Sequence, residues 1–212
     1  MRKIDLFVYD FDGTLVDSRK DIANSVNLTL ERLGLEPRAN ETIYPFIGNG
    51  VGKLLSGVLA GTSCGDLSEA VDLFKKFYAE RLLEHTYIYP NCRETLEFFS
   101  HKKHAILSNK PESFIRQILA ELDFQRPFAA IVGGDTLESR KPDPQGLLHL
   151  LASQKTPPAN ALMVGDIAVD IETGRRANVL TCGVTYGLGD RSAFEKADYI
   201  IDDLAELKTL FN

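Results

Sequence analysis

Short, nearly continuous apolar runs alternate along the chain with segments in which apolar residues recur every three or four positions. The runs are "IDLFVYD" (4–10), "HAILSN" (104–109), "FAAIVGG" (128–134), "ALMVGD" (161–166) and "VLTCGVTYG" (179–187). A strand with one wet face alternates apolar and polar residues, so runs this uniform are expected where both faces are covered, as in a parallel sheet. Between the runs lie helical patterns. "KPESFIRQILAELDF" sets Ile115, Ile118, Leu119 and Leu122 on one stripe behind Pro111, and "PDPQGLLHLLAS" and "VDIETGRRAN" are similar in length. Strand and helix in alternation predict an α/β fold, a doubly wound Rossmann-like parallel sheet whose ligand sites lie at the carboxyl ends of the strands.

One long interruption breaks this rhythm. From about Asp17 to about Tyr89 the text reads as helix throughout, which predicts a small α-helical cap domain (17–89) inserted in a core domain made of residues 1–16 and 90–212. Ser18 with Asp21 has the form of a capping box, and Ile22, Val26, Leu30 and Leu33 follow at helical spacing until Gly34 offers a stop. Val51, Leu54, Leu55, Val58 and Leu59 form a second stripe, and Leu67, Ala70, Val71, Phe74, Phe77 and Tyr78 a third. The expected hinges are Val16 to Ser18 and Tyr87 to Asn91, where Pro90 stiffens the return.

Composition narrows the function classes. With 212 residues, 44% of them hydrophobic, the chain can bury a sizeable core. A formal net charge of -6 argues against general affinity for nucleic acid or an anionic membrane. Cys64, Cys92 and Cys182 are an odd count without a CxxC pair, which suits a reducing compartment better than a disulfide framework. The start, "MRKIDLFVYD", lacks a signal-peptide apolar region, and no apolar run approaches the ~18 residues of a membrane span. A cytoplasmic monomer or homodimer is expected.

Four polar clusters follow directly on the apolar runs, so the fold should bring them to one edge: "DFDGT" (Asp10, Asp12), "LSNK" (Ser108, Asn109), "SRKPDP" (Lys141) and "GDIAVD" (Asp166, Asp170). A helix starting near Ile167 would set Asp166 at its cap and Asp170 about one turn on. Four carboxylates beside one ammonium repel one another unless a cation joins them, and Mg²⁺, which takes oxygen ligands and shares them with a substrate phosphate, fits that need. A carboxylate such as Asp10 can then attack phosphorus, while a second acid, Asp12, protonates the leaving oxygen and later deprotonates water. Lys141 and the Ser108 hydroxyl suit the spreading negative charge.

At these residues the sequence resembles the haloacid dehalogenase superfamily, with "DFDGTLVDS", "LSNK", "RKPDP" and "GDIAVD" in the family's order and the helical insertion where its cap sits. The resemblance implies that Asp10 is nucleophile and metal ligand, and that Asp12 is acid/base and a ligand through its backbone carbonyl. It further implies that Ser108 and Lys141 hold the phosphoryl group and that Asp166 and Asp170 serve Mg²⁺. Within the superfamily "FIGNGVGKLL", "SNKP", "VGGD", "RKPDPQGLL" and "GVTYG" look like phosphoglycolate phosphatases, although Ile167 stands where that group has a small polar residue. The implied substrate is a small phosphorylated metabolite, first of all 2-phosphoglycolate; pyrophosphate, nucleoside monophosphate or sugar phosphate hydrolysis and phosphohexomutase activity are the alternatives. A receiver-like phosphoacceptor is the non-enzymatic alternative, and Asp12 argues against it.

Other features have plainer readings beside them. "IGNGVGK" fails the phosphate-loop pattern, having Ile47 where a glycine is needed and Leu54 after Lys53. It is read either as a glycine-containing helix start or as a loop over the site, with Gly50 and Lys53 as substrate-binding candidates beside Thr14 and Asn109. His101 and His104 are three apart but have no third ligand nearby, so a solvated turn is expected. Phe74, Phe77 and Tyr78 are read as cap core, and Asp170 has Arg175 as an alternative surface partner.

Overall fold

A computed structural model describes residues 2–62 and 66–211, so Cys64 lies outside the described residues. The strands are β1 (Leu6–Tyr9), β2 (Val16–Asp17), β3 (Tyr87–Ile88), β4 (Lys103–Leu107), β5 (Phe128–Val132), β6 (Ala161–Gly165), β7 (Leu180–Val184) and β8 (Tyr199–Ile201). The helices are α1 (Arg19–Arg32), α2 (Asn40–Ile43), α3 (Val51–Leu59), α4 (Leu67–Glu80), α5 (Cys92–Phe98), α6 (Glu112–Glu121), α7 (Gln145–Ser153), α8 (Ala168–Arg176) and α9 (Leu207–Phe211).

Six strands form one parallel sheet in the order β5-β4-β1-β6-β7-β8. This is the doubly wound architecture that the uniform apolar runs predict. Period-two alternation divides each strand between two cores: Phe7 and Tyr9 enter one buried cluster with Ile106, Leu162 and Val164, while Leu6 and Val8 enter the other with Ala105, Leu107 and Met163. Because both faces are buried, neither set of positions reads as polar. The chain leaves β1 for β4 on one side and later reaches β6 on the other, so β1 is the switch point, and its carboxyl end opens between diverging connections.

Between β2 and β3 every named element is helical. α4 packs against both α1 and α3, burying Ala70, Phe74 and Tyr78. Its N-cap Asp66 accepts a bond from Ser68 N, whereas Leu67, expected on the buried stripe, is exposed. Gly34 ends α1 as expected, with φ of +73° and Leu35 N bonded back to Leu30 O. At the two expected hinge segments, β2 and β3 pair antiparallel, Val16 with Ile88 and Asp17 with Tyr87.

Two local expectations are corrected. Ser18 occupies the N-cap of α1 without capping it, because its hydroxyl is spent on Asp12 and the Asp21 carboxylate on His85 and Thr86. α8 begins at Ala168 with Ile167 as N-cap, so Asp166 lies one residue before the cap. Cys92 and Cys182 are buried free thiols. Among the described residues no helix is long and apolar enough to cross a membrane.

Candidate active site

Strand ends place Asp10, Ser108 and Asp166. Asp10 follows β1 and is tied to the sheet by its N–H to Val164 O (2.9 Å); Ser108 follows β4 with its N–H on Val132 O (3.0 Å); Asp166 follows β6. The first turn of α8 returns Asp170 over the same spot, where its Oδ2 accepts Ile167 N at 3.1 Å. Carboxylate oxygens of Asp10, Asp166 and Asp170 lie within 4.8 Å of one another, all buried. Acids from opposite halves of the chain therefore converge, as the strand-end argument requires.

One ammonium faces all this charge. Lys141 Nζ stands 2.8 Å from Asp10 Oδ1 and 2.6 Å from Asp170 Oδ1, so Asp170 does not pair with Arg175. Phe11 N also donates to Asp10 Oδ1 (2.7 Å), and none of the described residues donates to Oδ2. Asp166 is held from behind: Thr14 Oγ1 donates to its Oδ1 (2.9 Å) and Leu188 N to its Oδ2 (2.8 Å). Burial pushes the Asp10 carboxyl up to about 6 even though Lys141 pulls it down, and burial with the charges of Asp10 and Asp170 holds Asp166 well above the carboxylate range. The acids outnumber their cations. An all-oxygen, buried donor set with this deficit of positive charge fits a hard divalent cation, with the Asp10, Asp166 and Asp170 carboxylates as its ligands.

Asp12 is turned elsewhere. Its Oδ1 accepts Ser18 Oγ (2.5 Å) and Lys110 Nζ (2.9 Å), and its Oδ2 accepts Lys110 at 3.2 Å. Its side chain lies outside the three-acid cluster and lines a cavity of about 40 Å³ that Ser108 also lines. The opposite wall comes from the helical segment, with Ile47, Gly50, Val51, Leu54, Phe74 and Tyr78.

Several expected substrate contacts fall elsewhere. Thr14 is wholly buried behind Asp166 rather than in the cavity. Asn109 Nδ2 donates to Gly48 O and Lys141 O (3.1 and 3.2 Å), clamping the glycine loop to the sheet. Lys53 is exposed and absent from the cavity wall, because Val51, Leu54 and Leu55 hold the inward side of α3 and the intervening position faces out. Gly50 does line the cavity, as the N-cap of α3 with φ of +89°, a conformation suited to glycine. His104 is no solvated turn residue: its buried ring meets Tyr9 OH (3.2 Å) and Phe99 O (3.0 Å).

The sequence reading missed Lys110 and Tyr78. Lys110 Nζ reaches Tyr78 OH at 2.6 Å and is 4.5 Å from that ring's centroid, so Tyr78 does more than fill the core between the helices. Burial opposes the Lys110 charge, but Asp12 and Tyr78 outweigh it and raise its proton affinity. The only signals were the position next to Asn109 and an aromatic on the inward stripe of α4.

The sequence profile of the haloacid dehalogenase-like hydrolases matches residues 7–184. A phosphoglycolate phosphatase of Aquifex aeolicus is 40% identical over 86% of this chain and 85% of its own. One from Pseudomonas syringae pv. tomato is 35% identical, covering 95% of this chain and 78% of that protein. The crystal structure of a predicted phosphoglycolate phosphatase from Haemophilus somnus superposes with a TM-score of 0.93 at 29% identity, covering 99% of both chains.

Proposed function

Because the chain belongs to the haloacid dehalogenase-like hydrolase family, we propose that it hydrolyses a small phosphate monoester, 2-phosphoglycolate first of all, through a phosphorylated Asp10. The observation that carries this reading is the convergence of Asp10, Asp166 and Asp170 on one another at the switch point of the sheet, with Lys141 paired to Asp10 and Asp170. The phosphoryl group sits between Asp10, Ser108 and Lys141. Asp10 Oδ2, free of protein donors, forms the bond to phosphorus as the ester P–O bond breaks, and Asp12 delivers a proton to the departing oxygen. Asp12 then takes a proton from water, whose oxygen attacks phosphorus and releases inorganic phosphate and the Asp10 carboxylate. Asp10, Asp166, Asp170 and the Asp12 carbonyl would hold Mg²⁺, which would supply neutralising charge when bound. Lys141 positions Asp10 through Oδ1, and the helices of residues 17–89 act as a cap that excludes water during the first transfer.

Cavity size supports a small leaving group. At roughly 10–15 Å³ for each water-sized occupant, the cavity of about 40 Å³ beside Asp12 has room for on the order of three to four non-hydrogen atoms. A hexose or nucleoside exceeds that. The test is inorganic phosphate release with Mg²⁺ from 2-phosphoglycolate, glucose phosphates, a nucleoside monophosphate and pyrophosphate. The expected result is a kcat/KM for 2-phosphoglycolate at least about tenfold above the others, the order of discrimination that pocket fit provides. Faster hydrolysis of a nucleotide or hexose phosphate overturns the substrate assignment, and a stoichiometric, long-lived phosphoprotein overturns the hydrolase.

A further inference from the structure

We propose that Lys110, oriented by Tyr78, is the group that selects substrate, binding an anionic substituent on the leaving alcohol, so that short carboxylated phosphate esters are preferred to neutral ones of equal size. The inference rests on the phosphatase reading above. It starts from an imbalance in the leaving-group cavity: beyond Asp12 and Ser108, the side chains that Ile22, Val51, Leu54, Phe74 and Phe114 present are hydrocarbon, and Lys110 is the one cation among the described residues of the wall. A hydrocarbon pocket alone would suit an alkyl leaving group. An ammonium at its end suits an anion.

The ammonium is also held in place. Lys110 is 7% exposed, and Tyr78 caps it through the hydroxyl at 2.6 Å. Tyr78 is itself fixed, stacked on Phe74 (centroids 5.5 Å, 13°) and edge-on to Phe114 (5.2 Å, 85°). A charge aimed by packed aromatics loses little freedom on binding. Lys110 touches Asp12 Oδ1 at 2.9 Å and Oδ2 at 3.2 Å, and the longer contact is the one a second carboxylate displaces. A substrate carboxylate seated there spans from Lys110 to a leaving oxygen beside Asp12. Cap and core then read the substrate jointly, because Tyr78 belongs to α4 and Lys110 follows β4.

The test compares 2-phosphoglycolate with ethyl phosphate, a two-carbon ester without the carboxylate, in the full chain with Mg²⁺. Wild type is expected to favour 2-phosphoglycolate by about 100-fold in kcat/KM, the scale of one charge-assisted bond in a dry site. Lys110→Met, which also unpairs Asp12 and so slows both esters, is expected to cost 2-phosphoglycolate about 20-fold more than ethyl phosphate and thus to remove most of that ratio. Tyr78→Phe keeps the ring packing and is expected to lower the ratio about fivefold, chiefly through KM, which a merely structural role would not do. Equal loss on both esters in Lys110→Met overturns the proposal, since Lys110 would then serve Asp12 alone. If that variant does not fold, the wild-type ratio and Tyr78→Phe still decide, and a wild-type ratio near one overturns it. Failure of wild type to hydrolyse either ester overturns the two-carbon substrate assignment on which the proposal rests, a result distinct from an unselective phosphatase.

Discussion

Asp21, in the first turn of α1, and Asp166, at the end of β6, are both buried carboxylates, and each belongs to a trio of residues whose ligand atoms lie within 4.8 Å: Asp21 with Glu84 and His85, Asp166 with Asp10 and Asp170. Spacing alone does not separate them; their donors do. Asp21 Oδ2 accepts His85 N, Thr86 N and Thr86 Oγ1 at 2.9, 2.8 and 2.7 Å, and its Oδ1 meets His85 Nδ1 at 2.8 Å. Asp21 is a saturated acceptor that pins the segment entering β3 to α1. At the strand ends, three carboxylates crowd together with one lysine, which pairs with Asp10 and Asp170, and the proton affinities of Asp10 and Asp166 rise. A buried acid whose lone pairs are filled by the chain is built for stability, whereas a crowd of acids short of donors is built to receive something from outside.

Substituting one acid of each trio alike should therefore give opposite phenotypes. Asp10→Asn keeps the volume and relieves repulsion, so turnover should fall at least ~10³-fold while the fold stays intact, measured by phosphate release beside a thermal melt. Residual activity within tenfold of wild type would contradict the nucleophile assignment. Asp21→Asn instead turns an amide N–H₂ toward groups that are themselves donors. A cost of about 3 kcal/mol is expected, roughly 6–12 °C in Tm for a domain of this size, with kcat within about threefold of wild type. If Asp21→Asn left Tm unchanged and removed activity, the saturated trio would be the functional one.

The contrast also explains what the sequence disclosed. Asp10, Ser108 and Asp166 are legible because a strand buried on both faces makes a conspicuous apolar run, and the polar residue ending it must sit at the carboxyl edge. β8 was not anticipated, since Tyr199 and Ile200 on this edge strand are half-buried and exposed, and its run is only three residues. Thr14 and Asn109 share turns with the acids, but residue type does not tell which way a short polar side chain points; one braces Asp166 and the other ties Gly48. Lys110 and Tyr78 lie 32 positions apart, on elements that meet only through the seating of the helical segment on the sheet, so no local pattern pairs them. Ile167 shows the same limit: its side chain sits where a Cβ on Gly48 would fall, an apolar seat for the loop rather than part of the chemistry.

The crowded trio makes a further, smaller prediction about metal. In chelator, Asp166→Asn should melt higher than wild type, because one of three buried like charges is gone; about 2 kcal/mol, or ~4–8 °C, is the expected gain. Adding Mg²⁺ at about a hundred times its dissociation constant should stabilise wild type by about 2.7 kcal/mol and the variant by little, so the order of melting reverses. A variant less stable than wild type without metal would mean that the acids are already compensated and that their crowding is not the signal taken here.

His104 supplies the smallest test, as a third kind of buried polar group, saturated while neutral. Its ring contacts Tyr9 OH and Phe99 O and stacks beside Phe7 and Tyr9 at the base of the sheet. Burial lowers its pKa below 6.5, with nearby His101 acting in the same direction and the Phe99 carbonyl opposing. The unfolded chain therefore takes up this proton at a higher pH than the folded one. The stability tied to neutral His104 is complete above 6.5 and is lost as pH falls from 6.5 toward the folded value. Between pH 7 and pH 5 the Tm of wild type should drop further than that of His104→Gln, which starts lower for want of ring packing but carries no proton to bind. Parallel Tm profiles would show that His104 is protonated equally easily in both states, and that saturation by neutral partners does not by itself exclude charge from this core.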